Sequence, residues 1–377
     1  MNWKQRSLEA AVWVCGKAAP TLKNIPLHPK SIFILRNNDI GDLLVTTPLF
    51  EALRHRFPDT RIVVGVGAWS RAILDNNPYL SEVLVLNAPW YNHSVPRLNA
   101  PQALKYIATS PQSKHIAEGK FDIGIDIFGS TLGMLFLIRS GIPYRIGVRG
   151  FRGGETASQW CVTYNTAIHV SQANLEIAAH LGATDLPAPR PQLFLSDGER
   201  LDAERLWAEI AGNGPRIVLG PGAGKPERCW PEADFASLAR RLQSQYDARL
   251  LLVGGPGDKD RGAQIAAAFP MVFDRTGKVS LRETFAAISL ADLVVCNPSM
   301  LMHVAAAFTK HTVVLLGRGQ DKEKEQSLWG YPETCLLLGG EDRDSVASPE
   351  AAFRACAAWL DSPSSHESPV RLRVNSQ

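Results

Sequence analysis

Short apolar runs alternate with amphipathic stretches along most of this chain. In the first half, residues 32–35, 61–66, 83–86 and 121–127 are brief runs rich in Ile, Val, Leu and Phe, the length and composition of strands. Thr46, Phe50, Leu53 and Phe57 recur at the spacing of one helix face, which predicts a single helix from Asp42 to Phe57-Pro58. Residues 132–138 read as an apolar helix. Residues 88–100 hold Pro89, Trp90, Tyr91, Asn92, His93 and Pro96 and read as a loop. Residues 141–154 read as a basic, glycine-rich turn region with Arg145, Arg149 and Arg152. The second half repeats the alternation, with strands at 216–220, 249–253, 293–296 and 312–316 and a helix at 235–246. Ser348-Pro349-Glu350 opens a last helix, with serine as N-cap and proline in the first turn. Strands spaced by helices predict parallel sheets. The expected fold class is α/β, with two Rossmann-like halves joined near residues 187–195.

Ligands of open α/β sheets bind outside the carboxyl ends of the strands, and two stretches place suitable chemistry there. After the strand at 32–35 comes the polar turn Arg36-Asn37-Asn38-Asp39, then Ile40-Gly41-Asp42 at a helix start. A carboxylate there can take a proton from an attacking hydroxyl. It can equally well serve the helix as a capping, dipole-stabilising acid. After the strand at 216–220 comes Pro221-Gly222-Ala223-Gly224-Lys225-Pro226-Glu227-Arg228-Cys229-Trp230-Pro231. This is not a P-loop, since Pro226 stands where Ser or Thr holds magnesium and Leu219 where the first glycine belongs. A glycine-rich turn with cations can still wrap phosphates through backbone amides, or it can be a solvated turn.

Composition narrows the picture. With 45% hydrophobic and 20% charged residues in a 377-residue chain, two domains with real cores are expected. A net charge of +3 is too small to argue for nucleic acid. Six scattered cysteines without a CxxC pair point to neither a zinc site nor a disulfide framework, and so to a reducing compartment. No run reaches the about 18 apolar residues of a membrane span. In residues 1–19, Leu8, Val12, Cys15 and Ala19 share a helical face, with Trp3, Trp13, Lys4, Arg6 and Lys17 nearby. Such a helix either lies on a membrane surface or packs on the protein itself.

Together, these segments resemble glycosyltransferase family 9, the lipopolysaccharide heptosyltransferase family, over roughly residues 31–320. Gly41-Asp42 matches the family's "GD" pair, whose Asp is the catalytic base. Gly222-Ala223 and Arg228-Cys229-Trp230-Pro231 match its "GA…K-R/H-W-P" stretch, which places Arg228 beside the donor phosphates with Lys225 as a neighbour. Residues 293–303 (LVVCNPSMLMH) resemble "N-D-S-G-P-M-H", where a helix start receives the pyrophosphate; Asn297, Ser299, Met302 and His303 match. Pro298 replaces the family's Asp, and Met300-Leu301 replace its Gly-Pro. Pro298 is expected in the first helical turn, leaving the amides of Ser299, Met300 and Leu301 for an anion. His303 can instead be a buried structural histidine. The family's ribose-binding acid falls on Asp258 or Asp260, and its "GktsL" turn near the base on Thr276-Gly277-Lys278. Gly41, Asp126, Arg145 and Arg149 fall on the acceptor side.

The resemblance implies a GT-B architecture, two Rossmann-like domains facing across a cleft. It implies an inverting, metal-independent transfer from a nucleotide sugar, in the family's usual case ADP-heptose, to a glycolipid acceptor. No cofactor beyond that co-substrate is expected, and no DxD pair is placed to hold a metal. The other readings are a different nucleotide-sugar donor, or a non-catalytic nucleotide- or sugar-binding relative. The expected organisation is an amphipathic segment at 1–30, an acceptor domain at 31–190, a donor domain at 191–345, a helix at 346–361 and a disordered tail at 362–377. The expected location is the cytoplasm, at the inner face of the bacterial inner membrane.

Overall fold

A computed structural model describes residues 3–96, 98–342 and 344–362, apart from the side chain of Lys4. Of the expected tail, only Ser362 lies among the described residues. The chain forms two compact units. The first holds the chain up to Asp197 together with Glu323–Gly330, and the second holds Gly198–Lys322 and the chain from Tyr331 onward.

The first unit begins with α1 (Trp3–Ala18), β1 (Ser31–Leu35), α2 (Ile40–Leu44), α3 (Thr47–Arg56), β2 (Arg61–Val66) and β3 (Glu82–Val85). It continues with α4 (Ala100–Thr109), α5 (Pro111–Glu118), β4 (Ile123–Asp126), α6 (Thr131–Arg139), β5 (Tyr144–Arg149), β6 (Trp160–Thr163) and α7 (Val170–His180). Its six strands are parallel throughout and run in the order β3-β2-β1-β4-β5-β6. This is the Rossmann order, and the order reverses between β1 and β4. Every residue of β1 is buried, as a central strand covered on both faces requires.

The second unit holds α8 (Asp197–Ala208), β7 (Arg216–Gly220), α9 (Glu232–Tyr246), β8 (Arg249–Leu252), α10 (Lys259–Ala268), β9 (Phe273–Asp274), α11 (Leu281–Ser289) and β10 (Leu293–Cys296). Then come α12 (Met300–Ala307), β11 (His311–Leu315), α13 (Lys322–Trp329), which returns to the first unit, β12 (Cys335–Leu338) and α14 (Pro349–Leu360). Its parallel order, β12-β11-β10-β7-β8-β9, repeats the first, with the reversal between β7 and β10. α14 is part of this unit's core through Phe353 and Cys356, and its N-cap Ser348 accepts the Ala351 amide at 3.2 Å as expected.

Three local expectations are corrected. The single helix from Asp42 to Phe57 is two helices. The chain turns at Val45–Thr46, where the Thr46 hydroxyl donates to the Asp42 carbonyl at 2.9 Å and Pro48 supplies no amide. The basic turn region contains a buried strand, β5, which carries Arg145 into the interior. On α1, Val12 is buried, and Leu8 and Ala19 pack with it on the unit's core, but Cys15 is exposed. Gln5 adds a hydrogen bond from its amide to the Thr131 hydroxyl at 2.9 Å. All six cysteines are free thiols. Among the described residues no helix is long and apolar enough to cross a membrane.

Candidate active site

At the reversal in the first sheet, β1 runs directly into a buried arginine that sequence reasoning left in a polar turn. Arg36 is 4% exposed. Its Nε donates to the Asp42 carbonyl at 3.1 Å, its Nη1 to Asn38 Oδ1 at 3.3 Å, and its Nη2 lies 3.5 Å from Asp42 Oδ1. A charged residue directly after the apolar run Ile32–Leu35 was the available signal. Asp42 is the third residue of α2, and its carboxylate also accepts the Asp39 amide at 3.3 Å. Its side chain remains 30% exposed. Burial raises its proton affinity above the ordinary carboxylate value, against the pull of Arg36. Both readings of Asp42 meet in this geometry: it braces the helix start and presents a carboxylate of raised basicity to solvent. Gly41 precedes it in the same turn, half-buried.

Asp126 ends β4 opposite Leu35. It is 2% exposed, accepts the Ser130 amide at 2.7 Å, and is pushed up to about 6 by burial. Gly133 is required beside it, since a Cβ there would come within 2.2 Å of Asp126 Oδ2. At that depth Asp126 favours the charge of Arg36. The Arg145 guanidinium donates to the carbonyls of Ala157, Pro20 and Ile142 and to the Thr21 hydroxyl, pinning the segment after α1. Arg149 is exposed at the end of β5. The asparagines of the turn fasten the 88–92 loop: Asn37 donates to the carbonyls of Ala88 and Trp90, and Asn38 to that of Tyr91.

The second reversal carries the glycine-rich loop. Lys225 and Arg228 are exposed there, with no side-chain hydrogen bond or ion pair among the described residues. Asn297, fully buried, donates to the Pro221 carbonyl at 2.6 Å and accepts the Trp230 amide at 2.9 Å. Its side chain thus shapes the loop. Gly222 lies against Asp258, whose Oδ1 would be 2.3 Å from a Cβ there, and Asp258 accepts the Gly255 amide at 2.8 Å. Asp260 is exposed in the first turn of α10.

Thr276 is buried and donates to Asp274 Oδ1 at 2.6 Å, so its hydroxyl holds the turn. Gly277 adopts a φ of 63° and donates to the Gly254 carbonyl, tying that turn to the Asp258 loop. Ser299 is the N-cap of α12, and its hydroxyl accepts the Leu301 amide at 3.3 Å. Pro298 therefore precedes the cap rather than opening the helix, and the Leu301 amide already has a partner. Leu301 packs over Gly220, while Met300 is half-buried. His303 is buried with Nδ1 2.7 Å from the Tyr331 hydroxyl, the structural-histidine alternative. Among the described residues no group of three His, Cys, Asp or Glu could hold a metal.

Two Rossmann-type units, each with its polar loops at the strand-order reversal, are the GT-B fold of nucleotide-sugar glycosyltransferases. A family model for glycosyltransferase family 9 (heptosyltransferase) matches residues 112–343, and the chain belongs to that family; it is a glycosyltransferase. It is 26% identical over 299 residues to lipopolysaccharide heptosyltransferase 2 of Escherichia coli K12, covering 76% of this chain and 82% of that one. It is 23% identical over 306 residues to lipooligosaccharide heptosyltransferase 2 of Haemophilus influenzae, covering 76% and 83%. Among solved structures, a family 9 glycosyl transferase from Veillonella parvula superposes with a TM-score of 0.74 at 20% identity, over 88% of this chain and 97% of that one. The ADP-heptose heptosyltransferase II of E. coli superposes at 0.71 and 22% identity, over 88% and 98%.

Proposed function

We propose that this enzyme transfers heptose from ADP-heptose to a lipopolysaccharide core or related glycan, with inversion and without a metal ion. The observation that carries the reading is Asp42, a partly exposed carboxylate of raised basicity at the first sheet's reversal, held by Arg36 and the Asp39 amide. As base it removes the acceptor hydroxyl's proton while that oxygen attacks the anomeric carbon. Arg228 and Lys225, without side-chain partners among the described residues, neutralise the departing diphosphate with the amides at the start of α12. Both relatives reported above carry heptosyltransferase names, which supports the choice of sugar. A different nucleotide-sugar donor is the second reading. Pro298, the Ser299 cap on the Leu301 amide and the packing of Leu301 on Gly220 favour it, because they alter the phosphate-facing turn.

We place the enzyme on the cytoplasmic side of the inner membrane, touching the bilayer through α1. One face of α1 packs on its own unit, while Trp3, Trp13 and Val14 are 71%, 53% and 59% exposed, with Lys17 over the Trp13 ring. The deciding experiment incubates the wild type and Asp42→Asn with ADP-heptose, other nucleotide sugars and a core acceptor, with and without excess chelator. Expected are heptose transfer with inverted anomeric configuration, insensitivity to chelator, and a loss of about 10²-fold or more in turnover for the variant with ADP affinity kept. Near-full activity of Asp42→Asn removes the assigned base, and transfer from another donor alone selects the second reading.

A further inference from the structure

Beside the Asp42 turn, the first unit carries a row of four aromatic rings that the assigned chemistry does not use. Tyr91 stacks on Phe128 with centroids 4.7 Å apart, Phe128 meets Phe151 edge-on at 5.2 Å, and Phe151 lies 4.9 Å from Tyr164. The Arg152 guanidinium sits 5.7 Å from the Tyr91 centroid and 5.3 Å from that of Phe151. The row is not core. Phe151 and Tyr164 are 41% and 43% exposed, Tyr91 and Phe128 are half-buried, and Arg149 and Arg152 are exposed.

The fold holds these rings in place at some expense. Tyr91 has a φ of 56°, a conformation that side chains resist and that collects at ligand sites. Gly154 touches the backbone of Gly129, where a Cβ would lie 2.3 Å from the Gly129 carbonyl carbon, so the loops that carry Phe151 and Phe128 approach closely. Asn38 joins the row to the base: its Nδ2 donates to the Tyr91 carbonyl at 2.7 Å while its Oδ1 accepts from Arg36.

A half-exposed aromatic row suits the apolar C–H face of a sugar ring, which sheds water on stacking. The guanidiniums beside it suit a phosphate or carboxylate on that sugar, since such anions take paired N–H donors. An acyl chain alone has no use for the cations. We infer that Tyr91, Phe128, Phe151 and Tyr164, with Arg152, form the platform on which an anionic sugar of the acceptor docks next to Asp42. The inference rests on the glycosyl-transfer reading above and names the acceptor's site within it.

Calorimetry with delipidated lipopolysaccharide core oligosaccharide, before and after enzymatic dephosphorylation, tests the platform without the donor, and ADP affinity is measured alongside. The Phe151→Ala/Tyr164→Ala double variant should bind the oligosaccharide about tenfold or more weakly, with ADP affinity unchanged. Phe151→Leu keeps apolar volume but not the ring, and should weaken binding in the same direction. Dephosphorylation should weaken binding to the wild type and have little effect on Arg152→Gln. Wild-type affinity in both ring variants, or no binding of the oligosaccharide by the wild type, overturns the platform. An Arg152→Gln protein that still discriminates the phosphate overturns the anion contact. Heptose transfer is scored separately: its absence with oligosaccharide binding intact counts against the functional reading and leaves the platform standing.

Discussion

At the scale of single residues, the first site is a balance of three acids around one buried guanidinium. Burial lowers the proton affinity of Arg36, and Asp42, Asp126 and Asp39 offset that in part. Arg36 in turn lowers that of Asp42. Arg36→Lys loses the planar fork that reaches Asp42 and Asn38 together. Asp42 should then hold its proton to higher pH, and the acidic limb of the kcat/KM profile should move up; an unmoved limb would detach Arg36 from the base. Asp126 carries a second pH effect. Its carboxyl goes from 3.8 to about 6 in the fold, so the native state binds the proton more tightly than the unfolded chain. Stability from this group is full below about pH 4 and lost as pH rises through about 6, by about 3 kcal/mol at most. Asp126→Asn should therefore raise Tm relative to wild type at pH 8 and lose that advantage at pH 4. Thermal melts at both values check the sign.

At the scale of elements, the second site separates residues that shape a loop from residues the loop presents. Asn297 bridges Pro221 and Trp230 from the end of β10, whereas Arg228 has no side-chain partner among the described residues. Asn297→Ala leaves a buried amide and carbonyl unsatisfied and should cost about 2–3 kcal/mol of stability, lowering ADP affinity with it. Arg228→Ala should leave Tm unchanged yet weaken ADP by the about 1.5–3 kcal/mol of a charged hydrogen bond. Paired melts and calorimetry distinguish the two, and a stability loss in Arg228→Ala would place that side chain in the scaffold.

At the scale of the whole molecule, α1 serves two surfaces. Val12 closes the first unit's core, and the opposite face keeps its tryptophans in solvent. Trp3→Ser/Trp13→Ser should fold normally and transfer to a delipidated acceptor at the wild-type rate. Its co-sedimentation with anionic phospholipid vesicles should fall several-fold, since interfacial binding scales with buried apolar area. Equal sedimentation would leave α1 as a purely internal brace.

Much of this was legible in the chain itself. The central strands announced themselves as apolar runs, because a strand covered on both faces has no polar side. The Gly41-Asp42 turn and the Lys225–Arg228 cations were visible because chemistry at strand ends needs polar residues at sharp turns. What the sequence did not disclose depends on partners far along the chain. Arg145 and Arg149 look alike in sequence and share a face of β5, and only their places along it, one near its buried start and one at its exposed end, give the first its partners Pro20 and Ala157 and leave the other outside. Arg36 reads as a turn residue until Asp126, ninety positions on, is placed beside its strand. Tyr91, Phe128, Phe151 and Tyr164 form a row only because the fold brings four separate connections together, two of them touching through the backbones of Gly129 and Gly154. Local pattern determined the elements and the turns that carry charge. Which charges pair, which are buried and which rings align was decided by packing, because burial and Coulomb energy depend on distance in space rather than along the chain.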